Sequence, residues 1–189
     1  KNLQTDYVDL YQFHSGSDGV FDNQELWTSL GKQVKAGKIR HLGISIGSND
    51  NLHQTESATK YGAEAIQVVY NRLDRNPEKR VLPACIKDNL GVLARVPLAS
   101  GFLSGKYRAG DEGKFGKDDV RGKWWKPEDI AKTLKQVEEI RATEVPKGVH
   151  MASWALAWVL KQPGVTCVIP GIKSVEQVDL NAAAADLVS

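Results

Sequence analysis

The sequence predicts an α/β fold built on a parallel sheet. Three observations carry that prediction: short apolar runs of strand character, amphipathic helical patterns between them, and a regular spacing. The runs lie at 7–13, 40–44, 66–70, 92–96 and 166–169. Each is rich in β-branched or aromatic residues and short enough to be a buried parallel strand. The first four start at 7, 40, 66 and 92, about thirty residues apart, which is the length of a βαβ unit. Strands alternating with helices pack as right-handed crossovers onto a parallel sheet.

The elements follow in order. The run "DLYQFH" ends on His14, after which the chain turns to glycine, serine and aspartate. Residues 23–36 place Leu26, Trp27, Leu30 and Val34 on one helical stripe, with Asp22 and Glu25 expected as a capping-box pair and Gly37 as the stop. After the fourth strand comes a Gly- and charge-rich loop at 108–126. So long a loop in a compact domain is typically a lid, a binding loop or disordered. Residues 127–142 put Ile130, Leu134, Val137 and Ile140 on one face behind Pro127, Glu128 and Asp129 at the first turn. Residues 149–161, rich in Ala and Trp, form a third helix, and "SVEQ" at 174–177 caps a fourth.

Two architectures accept this order. An open doubly wound sheet closes on five strands, whereas a (β/α)8 barrel needs eight and typically ~250 residues. No G-x-G-x-x-G follows any of the runs, so the dinucleotide motif of the open-sheet class is missing. Met151 is the only methionine, and residues 1–7 read as the polar tail of a helix entering a strand. A chain that begins inside a longer protein is therefore expected, and that favours the barrel.

Composition narrows the function classes. The 189 residues are 41% hydrophobic with a formal charge of +2, enough for a sizeable core under an ordinary charged surface. Basic residues are spread along the chain, which gives no footprint for nucleic acid or an anionic membrane. No apolar run approaches the ~20 residues of a membrane span. Cys85 and Cys167 stand alone without metal-ligand spacing, so no metal is expected, and the thiols fit a reducing, cytoplasmic setting.

Polar residues recur where the strands end: His14, Ser45, Gln67 with Asn71 beyond it, Arg95, and the run "PGIKS". In a parallel α/β fold these ends share one face, where ligands bind. Taken singly, His14 also fits a hydrogen-bonded rim histidine, and Ser45 a turn cap. Gln67 inside "AIQVVY" needs a partner, because an unpaired buried amide costs a few kcal/mol. Arg95 in "GVLARVPL" calls for an anion or a carboxylate. The tract 94–107, "ARVPLASGFLSGKY", fixes the chain with proline and then lets backbone approach a ligand through small residues, with Lys106 adding charge. At 170–181, Pro-Gly precedes a helix start with Lys173 beside it. Backbone N–H groups, helix dipole and lysine together suit a phosphate, and Asn181 lies two turns into the same helix.

The blocks "LQTDYVDLYQFH", "GKIRHLGIS", "IQVVYN", "PLASGFLSGKY" and "ALAWVLKQPGVTCVIPGIKSVEQVDLN" resemble, in order and spacing, the aldo-keto reductases. The likeness is closest to the bacterial branch that also resembles potassium-channel β subunits. It implies a (β/α)8 TIM barrel of which residues 1–189 form one partial domain, roughly the last five β/α units, with the first three absent. It implies NADPH-dependent hydride transfer to a small aldehyde or ketone. His14 matches the active-site histidine, and Ser45 and Gln67 match residues holding the nicotinamide carboxamide. Arg95 stands where many members stack a tyrosine on that ring, a role a planar guanidinium also fills. Leu98, Ser100, Gly101 and Lys106 match the pyrophosphate loop. Gly171, Lys173, Gln177 and Asn181 match the adenosine end, with Lys173 the expected partner of a 2′-phosphate. The loop 108–126 corresponds to a segment that folds over cofactor, with Arg121 in reach.

Two departures stand out: Ile46 replaces a common asparagine after the serine, and Leu180 replaces a common acidic residue before Asn181. The family's other catalytic residues, an aspartate, a tyrosine and a lysine, lie upstream of the matched blocks. The channel-subunit likeness also admits a different class, an NADPH-binding regulatory module without turnover.

Overall fold

A computed structural model describes residues 3–116 and 118–188. The chain divides into two compact units. One comprises Lys1–Tyr70, Asp74–Arg95 and Gln162–Ile169, the other Asn71–Leu73, Val96–Lys161 and Pro170–Ser189.

The first unit is a five-stranded parallel sheet in sequential order. Its strands are β1 (Val8–His14), β2 (Ile39–Ser45), β3 (Ala63–Val69), β4 (Gly91–Arg95) and β5 (Cys167–Ile169). Each of the five lies within two or three residues of its expected position. Helices α1 (Asp18–Phe21), α2 (Gln24–Lys35), α3 (Leu52–Glu56) and α4 (Val81–Lys87) fill the connections. On one face of the sheet Ile44, Ile66, Val68, Val92 and Ala94 are fully buried. Each aliphatic side chain so buried contributes about 1.5–3 kcal/mol. Phe13 extends this layer, with its ring 5.7 Å from Phe21 and 6.0 Å from Trp27, and Trp27 stacks on Tyr61 at 5.0 Å. The opposite face carries Gln12, Gln67, Leu93, Arg95 and Cys167, all half-buried. Among the described residues, β1 and β5 each pair on one side only.

The start of α2 differs from the expected capping box. Asp22 closes α1 with helical backbone, φ −75° and ψ −2°, whereas an N-cap needs an extended residue. Asn23 has that geometry, φ −69° and ψ 106°, and its Oδ1 accepts from the Glu25 N–H at 2.9 Å. The Asp22 carboxylate instead meets His53 Nε2 at 2.8 Å.

The second unit is helical. It contains α5 (Val120–Trp124), α6 (Pro127–Thr143), α7 (Met151–Leu160) and α8 (Val175–Ala182). The expected stripe Ile130, Leu134, Val137 and Ile140 is buried, and it packs with Phe102, Leu103, Phe115, Met151 and Ala155. The Arg72 guanidinium is bonded to both Glu144 carboxylate oxygens and lies 5.6 Å over the Trp158 ring. Ser153 Oγ donates to Leu180 O at 2.6 Å and so ties α7 to α8. Among the described residues no helix is long and apolar enough to cross a membrane, and no His/Cys/Asp/Glu cluster is arranged to hold a metal.

Candidate functional site

In the sheet, register decides what meets. His14 is the last residue of β1 and pairs with Ser45, which pairs with Gln67 on β3; Gln67 in turn pairs with Leu93, and Leu93 with Cys167. Paired residues of parallel strands project to the same face, so His14, Ser45 and Gln67 form one row across three strands. His14 is exposed at the end of the row and Ser45 is buried. Ser45 Oγ donates to Gln67 Oε1 at 3.5 Å, and Gln67 Nε2 donates to Gln12 Oε1 at 3.3 Å. The amide that the sequence left in need of a partner has two, both side chains.

Arg95 lies one row further on, paired with Val69 and Ile169. Its Nη2 donates to the Ile46 carbonyl at 3.3 Å, while its buried Nε has no hydrogen-bond partner among the described residues. Among the described residues no carboxylate pairs with it. The guanidinium therefore keeps donor capacity, which suits an anion, and its planar shape suits a flat ring.

In the second unit, the tract after Arg95 is conformationally unusual. Val96, Ala99 and Ser100 have φ of 55°, 48° and 54°, and Gly101 has φ 91°. Non-glycine residues in this region store of order 1–3 kcal/mol each, and such strain clusters at ligand clamps. Within the tract the Ala99 and Gly101 N–H groups donate to Val96 O and Leu98 O, each at 2.9 Å. The buried Asn71 braces it by donating to Val96 O at 3.1 Å. Leu98, Ser100 and Gly101 are half-buried along this tract, and Lys106 is exposed at its end.

The loop 108–126 packs on the same tract. Arg121 donates to Ser100 O at 3.3 Å and to the Tyr107 hydroxyl at 2.8 Å, and its guanidinium lies 4.5 Å from the Phe115 ring centroid. A Cβ at Gly101 would stand 3.2 Å from Arg121 Nη1, so glycine makes that approach possible. Arg121, expected to reach toward a cofactor, is engaged within its own unit because Asp119 lies two residues away and offers both carboxylate oxygens. Those bonds hold the Asp119 carboxyl at about 2, with the Arg121 side chain the largest cause and Lys173 adding a smaller pull.

At α8 the cap is as the sequence predicts, with Ser174 Oγ accepting from Gln177 N–H at 3.3 Å. Gln177 Oε1 accepts from the Lys173 N–H at 2.7 Å. Gly171 and Lys173 are exposed, and the buried Asn181 Nδ2 has no hydrogen-bond partner among the described residues. Sequence reasoning missed Gln12. The signal was present, since residues 12 and 14 share a face of a strand.

The model of the Aldo/keto reductase family matches residues 1–189. Aldo-keto reductase yakc [NADP(+)] of Schizosaccharomyces pombe is 32% identical over 189 residues, covering 97% of this chain and 54% of that protein. Aldo-keto reductase YhdN of Bacillus subtilis is 31% identical over 185 residues, covering 95% and 54%. The solved structure of aldo-keto reductase AKR11C1 from Bacillus halodurans (holo form) is similar with a TM-score of 0.72 and 27% identity, covering 96% of this chain and 57% of that one. The chain spans about half the length of the curated relatives it matches.

Proposed function

The chain belongs to the aldo/keto reductase family, and on that premise we propose that it forms the cofactor-holding part of an NADPH-dependent reductase of small aldehydes and ketones. In the whole protein it supplies the last five of eight β/α units, residues 1–189 acting as one partial barrel domain in the cytoplasm. The observation that carries this reading is the row His14–Ser45–Gln67 at the carboxyl ends of adjacent parallel strands. In barrels of this class, residues at that end hold the reacting groups.

Each unit carries residues that suit one part of a nicotinamide dinucleotide. Ser45 Oγ and Gln67 Oε1 offer acceptor lone pairs side by side for the N–H2 of a carboxamide, the Ser45 hydrogen being given to Gln67. Arg95 offers its guanidinium plane to a flat ring. The backbone N–H groups of Leu98 and Ser100, together with Lys106, suit a pyrophosphate, those of Ala99 and Gly101 being given to Val96 O and Leu98 O. Lys173, exposed beside the N-terminus of α8, suits a terminal phosphate, with Gly171 leaving the approach clear and Gln177 fixing the Lys173 backbone. The unpaired Asn181 Nδ2 matches a ring-nitrogen acceptor such as adenine presents. When bound, NADPH would supply a hydride to the carbonyl carbon. His14 would donate a hydrogen bond to the carbonyl oxygen as negative charge develops there, with the proton of the alcohol coming from the upstream tyrosine that the family resemblance implies.

Titration of tryptophan fluorescence with NADPH and NADH tests the reading. The whole protein should bind NADPH about tenfold more tightly than NADH, and Lys173→Met should remove that preference. Turnover of an aromatic aldehyde should fall at least about a hundredfold in His14→Ala with NADPH affinity unchanged. Tight NADPH binding without turnover by the unmutated protein would mark a regulatory module instead. Failure to bind either nucleotide would overturn the proposal.

A further inference from the structure

We propose that Gln12 is a positioning residue that holds the Gln67 amide in place beside Ser45, and that Gly43 is the gap through which it does so. The inference rests on the nicotinamide reading of Ser45 and Gln67 above and adds two residues that reading does not use.

The geometry is specific. Gln12 sits on β1 and Gln67 on β3, with β2 between them, and adjacent strands are about 4.8 Å apart. Only a side chain lying along the sheet covers that span. In register, Gln12 pairs with Gly43, Gly43 with Ala65, and Ala65 with Gly91. Gln12 is therefore the one long side chain in a layer of Gly, Ala and Gly. A Cβ at position 43 would stand 3.2 Å from Gln12 Cγ, 3.1 Å from Leu10 Cδ1 and 3.1 Å from Ala65 O. Any side chain at 43 would push against the Gln12 stem where it crosses β2.

The chemistry follows from which atom faces which. Gln12 presents Oε1, an acceptor, to Gln67 Nε2 at 3.3 Å. In that arrangement Gln67 Nε2 points to Gln12 and Oε1 points to the Ser45 hydroxyl. An oxygen with two lone pairs accepts from Ser45 and retains capacity for a second donor, such as the N–H2 of a carboxamide. Both glutamine ends carry a donor and an acceptor, so the two amides turn as a pair, and what Gln12 supplies is a partner that holds the Gln67 amide in place beside Ser45.

The test compares two ligands that differ only at the nicotinamide end, NADPH and 2′-phospho-ADP-ribose. Binding is measured by calorimetry on the whole protein and on Gln12→Met, Gln12→Glu and Gly43→Ala, with thermal melting as the folding control. Methionine keeps length but removes the acceptor, whereas glutamate keeps an acceptor at the same reach. The expected result is a loss of about tenfold in NADPH affinity for Gln12→Met and Gly43→Ala, recovered in Gln12→Glu, with 2′-phospho-ADP-ribose bound equally by all four. Equal losses for both ligands, or no loss for either, would overturn the positioning role while leaving the cofactor reading intact. An unmutated protein that binds neither ligand would overturn the cofactor reading and this inference with it.

Discussion

Arg121 and Asp119 are joined by a two-pronged contact, Nε to Oδ1 at 2.9 Å and Nη2 to Oδ2 at 2.6 Å. The same guanidinium lies 4.7 Å from the Tyr107 ring centroid and donates to that hydroxyl. One side chain thus fastens the loop 108–126 to the tract that carries the left-handed residues. Replacing Arg121 by Ala should free the loop at a cost of about 1–3 kcal/mol, from the lost stacking and the bonded charge together. Limited trypsin digestion of the variant should cut between 108 and 126 while the unmutated protein stays intact there. Identical digestion patterns would show the fastening to lie elsewhere.

The same pair gives the loop a pH dependence. Asp119 is held at about 2 against an ordinary 3.8, first by the Arg121 side chain and then by the Arg121 N–H. A depressed carboxylate stabilises the fold fully above its ordinary value and loses that contribution as pH falls toward the depressed one. The loop should therefore loosen between about pH 4 and about pH 2. Hydrogen exchange of residues 108–126 across that interval is the measurement. Asp119→Asn should show the loosened exchange already at neutral pH.

Cys85 sets the opposite sign at the alkaline end. Burial, with a smaller push from Asp88, raises its thiol from 9.0 to about 12. The folded state then favours the protonated thiol, so stability is complete below pH 9 and falls as pH rises toward 12. The slope from this one group is at most about 1.4 kcal/mol per pH unit. Urea unfolding at about pH 8 and about pH 10.5 should show a smaller alkaline loss for Cys85→Val than for the unmutated protein. Iodoacetamide should leave Cys85 unlabelled until the protein unfolds.

Gly16, two residues beyond His14, is a packing necessity. A Cβ there would stand 2.2 Å from Phe13 Cζ, and Phe13 is fixed by the rings of Phe21 and Trp27. Gly16→Ala should destabilise by about 1–3 kcal/mol and lower the melting temperature measurably. A variant that melts with the unmutated protein would mean that the Phe13 ring has room to move.

Legibility in the sequence followed length and locality. Strands of five to seven residues with apolar runs, and the seventeen-residue helix α6, announced themselves through period. Helices α3 and α4, of five and seven residues, are too short for a period, and Pro83 within α4 reads as a breaker. The α2 cap slid by one residue because the short α1, itself without a sequence signature, had already taken Asp22. Among site residues, the strand-end row was readable, since parallel strands of equal stagger align their ends. The partner of Gln67 was not, because Gln12 is 55 residues away and the pairing depends on a glycine in a third strand. Arg121 was read as reaching outward, yet a local carboxylate two residues off competes for it.

The alternation along the strands carries a consequence for mutational maps of this molecule. Ile66 and Val68 are buried on one face of the sheet, whereas Ala65, Gln67 and Val69 between and beside them point the other way. A saturation library scored by abundance should penalise one parity of β3, while the same library scored by nucleotide capture should penalise the other at Gln67. The two fitness profiles would interleave residue by residue, so a substitution harmless in one assay is no guide to its neighbour in the next.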